Sequence, residues 1–426
     1  MTESNSPNTD GGGSGTIFPA SVYAGRLAHA ADLALRQGLW GLVFGTGPEL
    51  EYLIGSRVSS HERLTALVVP RSGIPTLVLP AVERGDLPAS AVPALDVDVQ
   101  LWEDGQDPHE LVADALGLPL PPPVPDTGLA GAVIGVGSSL TADHLLPILW
   151  NTRATPVLAS ETLRELFMRK DAEEIAQLRD AAAAIDRVHA RVPSLLRAGR
   201  TEADVAADLE AAIIAEGHSA VDFVIVGSGP NGANPHHAHS DRVLSDGEVV
   251  VVDIGGTWGV GYHSDCTRTY VVGDGGAPRA ATEAWEVLRK AQEAAVAAVR
   301  PGVTAASIDD TARKVIEDAG YGGKFIHRTG HGIGLSLHEE PFIMTGNDLE
   351  LEPGMAFSVE PGLYFEGEFG MRLEDIVVVT DDGAESLNKG PHELIAGTAS
   401  ESAGGRAGTA SESAGGDGNN GEEGRN

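Results

Sequence analysis

Four times in the second half of the chain an apolar, β-branched run meets a carboxylate: EVVVVDIGG at Asp253, SDCTRTYVV at Asp265, GMAFSVEPG at Glu360 and MRLEDIVVVT at Glu374. A charge cannot sit unpaired inside a sheet core, so each carboxylate is expected where a strand opens onto a cleft. Strand alternation puts Ala356, Ser358 and Glu360 on one face, and Arg372, Glu374 and Ile376 on another. Glycine-rich connections (Gly255, Gly256, Gly259 and Gly261; then PGLYFEGEFG) allow each pair to close as a hairpin. Either aspartate alone reads more readily as a cap or an ion-pair partner. A fifth residue, His331, stands in RTGHGIGLSLHEEP among Gly330, Gly332 and Gly334, with His327 and His338 on either side. His236, His237 and His239 form a further cluster in GANPHHAHS, which also reads as a polar loop.

Four carboxylates and one imidazole can hold two divalent cations with the charges balanced. Without metal the same carboxylates would repel one another and be costly to bury. Ligands of this kind favour hard or borderline cations, manganese above all, with cobalt or zinc as alternatives. The chemistry such a pair supplies is hydrolysis of an amide or related bond. No Gly-x-Ser-x-Gly elbow is present, and the single cysteine, Cys266, alternates away from Asp265 into packing. Serine or cysteine nucleophiles are poor competitors.

With 426 residues, more than one core is expected. Residues 1–16 are polar and glycine-rich and read as a disordered leader; 396–426 carries AGTASESAGG twice and reads as a flexible tail. Between them, 17–158 alternates helical and strand-like runs. WGLVFG, LTALVVP, TLVLPA and LAGAVIGVG are strand candidates, and TADHLLPILW is a helix capped by Thr141. PLPPPVPDTG breaks that domain. Residues 159–395 follow another pattern. A helix over 171–198 and one capped by Thr201 precede strands; helices over 280–300 and 306–319 precede further strands, including KFIH. Two helices and then a sheet, twice, predicts a duplicated α/β unit with a cleft shared by its halves. The formal charge of −33 argues against nucleic acid and anionic membranes as partners. One cysteine, no basic-apolar leader and no membrane-length apolar stretch make the cytoplasm the expected location.

VVVDIGG, SDCTRT, TGHGIGLSLHEEP, SVEPGLY and MRLEDIVVV resemble the five ligand motifs of the pita-bread metallopeptidases, and within them the proline dipeptidase and aminopeptidase P branch. The segment around ELEYLIGSRVSSHERLTALVVP is similar to that branch's N-terminal domain. The resemblance implies an α/β architecture: a pita-bread catalytic domain of two pseudo-twofold α-α-β halves, preceded by a smaller creatinase/prolidase-type domain. It implies Asp253, Asp265, His331, Glu360 and Glu374 as ligands of two metal ions, with Asp253 and Asp265 on one, His331 and Glu360 on the other, and Glu374 bridging. Glu360 would also relay a proton, His338 would steady the scissile carbonyl, and His327, His236 and Arg372 would meet substrate. PHHAHS departs from the Pro-His-Gly of relatives; His236 is the match and His237 the alternative. The expectation is a homodimeric metallo-exopeptidase cleaving the Xaa-Pro bond of short proline-containing peptides. A non-peptide amidohydrolase would be inactive on every Xaa-Pro peptide. A non-catalytic binding protein would have lost ligands, and all five are present.

Overall fold

The computed structural model describes residues 17–59, 62–118 and 131–397. The leader, the PLPPPVPDTG break and the tail from 398 onward lie outside the described residues. The first domain is a six-stranded mixed sheet: β1 (Gly41–Phe44), β2 (Ala66–Pro70), β3 (Thr76–Pro80), β4 (Asp98–Trp102), β5 (Val133–Val136) and β6 (Thr155–Leu158), in the order β4-β3-β2-β1-β5-β6. The four runs read as strands from sequence are β1, β2, β3 and β5, which are almost wholly buried and therefore continuously apolar. The sheet edges β4 and β6 lack that signal because they are largely exposed. Helices α1 (Ala20–Arg36), α2 (Pro48–Ile54), α3 (Pro108–Ala115) and α4 (Ala142–Thr152) flank the sheet. Thr141 does occupy the N-cap of α4, but its side chain makes no capping hydrogen bond.

After α5 (Ala159–Met168) the chain builds two halves in turn. In the first, α6 (Ala172–His189), the single turn α7 (Val192–Leu195) and α8 (Glu202–Ala215) precede β7 (Ala220–Ser228), β8 (Val249–Trp258) and β9 (Tyr262–Val271). Asp171 with Glu174 and Thr201 with Asp204 form reciprocal capping boxes that start α6 and α8. The single helix expected over 171–198 is instead divided after His189: Pro193 has no N–H to give and starts a new turn. In the second half, α9 (Arg279–Ala298) and α10 (Ala305–Asp318) precede β10 (Gly330–Gly332), β11 (Glu339–Ile343), β12 (Ala356–Val359), β13 (Gly362–Phe365), β14 (Phe369–Arg372), β15 (Asp375–Val379) and β16 (Ala384–Ser386). The two helices and a sheet, repeated, are thus as expected. KFIH is not a strand: Arg313 donates to the carbonyls of Phe325 and His327, occupying acceptors that strand pairing would use. Ala396, counted with the tail from sequence, belongs to a last short strand, β17 (Ile395–Ala396), parallel to β9.

The sheets run β17-β9-β8-β7 and β11-β10-β12-β15-β16, with β13-β14 as a separate ribbon. Each half has its own apolar core, around Val252 and Tyr270 in the first and around Trp285 and Phe357 in the second. One further cluster is common to both domains: Leu50, Leu53 and Leu163 pack in it with Leu178, Tyr262, Ile333, Leu335 and Ile376. The buried Arg26 reinforces this seam, with its guanidinium 3.9 Å over the Tyr52 ring and 3.5 Å from Glu174, which accepts a 2.6 Å hydrogen bond from Tyr262. Cys266 is fully buried in the first-half core opposite Ile254, on the face away from Asp265. Its Sγ donates to Glu374 O at 3.7 Å and accepts from Arg268 Nη1 at 3.3 Å, partners a hydroxyl can keep, so Cys266→Ser should retain most activity and lose no more than about 1–3 kcal/mol. Activity lost while the fold persists, followed by circular dichroism beside turnover, would contradict this.

Candidate active site

The β8–β9 register pairs Gly255 with Asp265 and Asp253 with Thr267, so Asp253, Asp265 and Thr267 share one face. The second hairpin is less regular. Val359 pairs with Asp375 in one sheet and Gly362 with Arg372 in the next, leaving Glu360 and Glu374 in the jog between them. Neither glutamate lies in a strand. Each is held by its own amide: Glu360 N–H donates to Thr329 O at 2.8 Å, and Glu374 N–H to Thr267 O at 3.1 Å. The jog also breaks the expected alternation, since Ile376 enters the interdomain core while Arg372 and Glu374 face the cavity. A Cβ on Gly330 would collide with the Ser358 carbonyl, and one on Gly332 with the Glu340 carbonyl; only glycine lets the His331 strand pack this closely. Gly330→Ala should cost at least about 1–3 kcal/mol of stability through overpacking. A melting temperature equal to that of the wild type would contradict it.

All five residues line one cavity of about 750 Å³, together with His236, His327, His338, Arg372 and apolar walls from Phe223, Ile225 and Leu337. Ligand atoms of Asp265, His331 and Glu374 lie within 4.8 Å of one another. His331 Nε2 is 3.6 Å from Asp265 Oδ2 and 3.3 Å from Glu360 Oε1. Its Nδ1 is 3.0 Å from Gly332 O; a carbonyl can only accept, so Nδ1 carries the proton and Nε2 presents its lone pair to the carboxylates. Burial, and then His338, push His331 down to about 3, which keeps it neutral. Burial pushes Asp265, Glu374 and Glu360 upward, and neighbouring carboxylates add to the shift. Asp253 Oδ1 and Glu374 Oε1 are buried without a hydrogen-bond partner among the described residues. Orphaned oxygens, crowded carboxylates and a neutral imidazole with a free lone pair are what divalent cations would satisfy, and the donor set fits them.

The outer contacts fix this set. Arg372 donates to Asp253, to Thr267 Oγ1 at 3.0 Å and to Tyr364 Oη at 2.9 Å; Thr267 in turn donates to Glu374 Oε2 at 2.6 Å. Arg372 therefore orients Asp253 directly and Glu374 through Thr267. Tyr364 Oη is 2.9 Å from His327 Nε2, and His327 Nδ1 is 2.7 Å from Arg328 O, so both ring nitrogens of His327 are engaged by protein. Burial, then Arg372, hold His327 down to about 4. His338 packs edge-on against His331, with ring centroids 4.1 Å apart. His236, not His237, lines the cavity; His237 Nε2 is 2.9 Å from Glu202.

Two buried acids went unnoticed in the sequence. Glu202 accepts from Ser228, Asn231 and Ser240 and so shapes the loop carrying His236. Asp309 accepts from Thr329 N–H and Oγ1 and steadies the entry to the His331 strand. Each lies on an ordinary-looking amphipathic helix, and no local pattern marks it. A carboxylate-rich centre with one imidazole, in the cleft of a duplicated α-α-β fold, defines a metallohydrolase. Metallopeptidase family M24 matches residues 176–381. The chain is 55% identical over 378 residues to a probable dipeptidase PepE of Mycobacterium tuberculosis, covering 89% of this chain and 97% of that one. It is 36% identical over 347 residues to an Xaa-Pro dipeptidase of Lactobacillus helveticus, covering 81% and 91%. The crystal structure of dipeptidase PepE from Mycobacterium ulcerans superimposes with a TM-score of 0.84 at 55% identity, over 89% of this chain and 99% of that one. The chain belongs to the metallopeptidase family M24, with its pita-bread fold, on the prolidase branch. Among the described residues no helix is long and apolar enough to cross a membrane.

Proposed function

We propose that this enzyme is an Xaa-Pro dipeptidase whose two divalent ions, manganese by the hardness of the donor set, are held by Asp253, Asp265, His331, Glu360 and Glu374. The observation that carries the reading is the convergence of Asp265, His331 and Glu374 around buried, unpartnered carboxylate oxygens in a cavity with His338 at its side. Relatives named as dipeptidase and Xaa-Pro dipeptidase support the substrate class. Bound ions would supply Lewis acidity and an acidified water at neutral pH. The protein's own part is as follows. Glu360, raised by burial and hydrogen-bonded by Ser358 at 3.0 Å, would take the proton of the attacking water at its carboxylate and pass it to the leaving proline nitrogen. His338, whose ring makes no hydrogen bond to protein among the described residues, faces the scissile carbonyl and steadies its oxyanion. His236 contacts substrate at the cavity mouth, and His327 forms wall rather than donor, since Tyr364 and Arg328 O engage its nitrogens. Arg372 holds the ligand carboxylates.

The deciding experiment is a metal-reconstituted assay across Ala-Pro, Ala-Pro-Ala, Met-Ala-Ser and creatine. Ala-Pro should be the preferred substrate, and manganese should restore most activity after chelation. Turnover of creatine with none of any Xaa-Pro peptide would replace this reading with a non-peptide amidohydrolase.

A further inference from the structure

His338 is carried by the turn from Gly334 to Glu339, and Glu339 closes that turn with its own side chain. Its Oε2 accepts from Ser336 N–H at 3.3 Å, while Gly334 N–H donates to Ser336 O at 3.1 Å. Its Oε1 accepts from Lys170 Nζ, which also donates to Phe167 O at the end of α5. The Lys170 side chain is 2% exposed and that of Glu339 10%, so this is a buried charge pair. Removing one charge leaves the other stranded away from water. The turn is shaped to admit the pair: a Cβ on Gly334 would lie 2.8 Å from Glu339 Oε1 and 3.0 Å from Lys170 Nζ. Lys170 is itself fixed from a third side. Its N–H donates to Gly354 O at 2.8 Å, just ahead of β12. A second pair, Arg164 with Glu340, joins α5 to the next residue along, but its side chains are 46% and 38% exposed, where such pairs are worth little.

We propose that Lys170 is a positioning residue for catalysis: through Glu339 it fixes the turn that aims the His338 ring into the cavity. This rests on the Xaa-Pro peptidase reading above, in which His338 meets the oxyanion. Lys170 does not line the catalytic cavity and touches no substrate. An oxyanion donor contributes by being in place before the charge develops, so a loosened turn costs rate rather than substrate affinity.

The test compares the metal-loaded full chain with Lys170→Met, Lys170→Arg, Arg164→Gln and the double variant Lys170→Met with Glu339→Leu. Lys170→Met should lower kcat on Ala-Pro by about 10- to 100-fold, the range for groups one shell out from a reacting centre, with KM little changed and both ions retained by elemental analysis. Lys170→Arg should recover part of kcat, and Arg164→Gln should leave it unchanged. An equal fall in Arg164→Gln would show that any charge across this gap serves, and would overturn the assignment to Lys170. The double variant replaces the pair by apolar side chains and should regain the melting temperature lost in Lys170→Met. Its kcat should stay low, because Ser336 N–H has lost the Glu339 carboxylate. Return of kcat together with the melting temperature would make the pair merely structural and overturn the proposal; if Lys170→Met does not fold, the double variant carries the kinetic test. Hydrogen–deuterium exchange needs no substrate. Amides of 334–339 should exchange faster in Lys170→Met while those of β8 and β9 keep their rates. Unchanged exchange across the turn overturns the role of Lys170 whether or not any peptide is cleaved. Failure of the wild type to cleave Ala-Pro, with exchange still faster in the variant, would remove only the peptidase reading.

Discussion

Replacing Asp265 or Glu374 by alanine should lower turnover by more than about 100-fold and strip bound metal, since even changes one shell beyond a ligand cost 10- to 100-fold. The physical basis is the cluster itself. Both carboxylates are buried, both are pushed upward by burial and by neighbouring carboxylates, and both have ligand atoms within 4.8 Å of those of His331. Thermal denaturation supplies a sign that activity cannot. With metal, the wild type should gain stability by mass action and the variants should gain little. In chelator the variants should be at least as stable as the wild type, because each has lost one member of a set of crowded, desolvated acids. Elemental analysis and melting curves with and without chelator check both halves. Unchanged metal content in either variant would refute the assignment.

His338→Ala should keep both metals and lower kcat by about 10²–10³-fold, with a much smaller effect on substrate binding. A donor aimed at a developing oxyanion acts mainly in the transition state. His338 lines the cavity and packs on the His331 ring, and burial holds its pKa below the usual value, so it is a neutral donor rather than a fixed cation at neutral pH. Steady-state kinetics on Ala-Pro, with metal measured in parallel, separates the outcomes. Near-normal kcat, or loss of metal, would take His338 out of the catalytic role.

The four acids among the five ligand candidates stood out because each adjoins an apolar, β-branched run, and His331 because of the glycines around it. The β8–β9 register confirms that logic at Asp253 and Asp265. It works only in part for Glu360 and Glu374. Alternation assumes an unbroken strand, whereas both residues occupy a jog between two sheets. The choice between His236 and His237 could not be read from PHHAHS, because it depends on Glu202, which lies 35 residues from His237 and captures its ring. Likewise the donors of Arg372 are taken by Asp253, Thr267 and Tyr364, which only the folded sheet brings to it. Local pattern identifies which side chains face a cleft, but not which of them are already engaged there.

Ile333 and Leu335, just past the His331 ligand, pack in the same apolar cluster as Leu50 and Leu53 of the N-terminal domain. Close-packed interiors pass on even a methylene's change in volume. Sequence drift in the first domain is therefore screened by selection on the second, and the two units inherit each other's constraints. A chimera grafting one relative's N-terminal domain onto another's catalytic domain would have to match side-chain volumes along this seam before its metal loop could sit correctly.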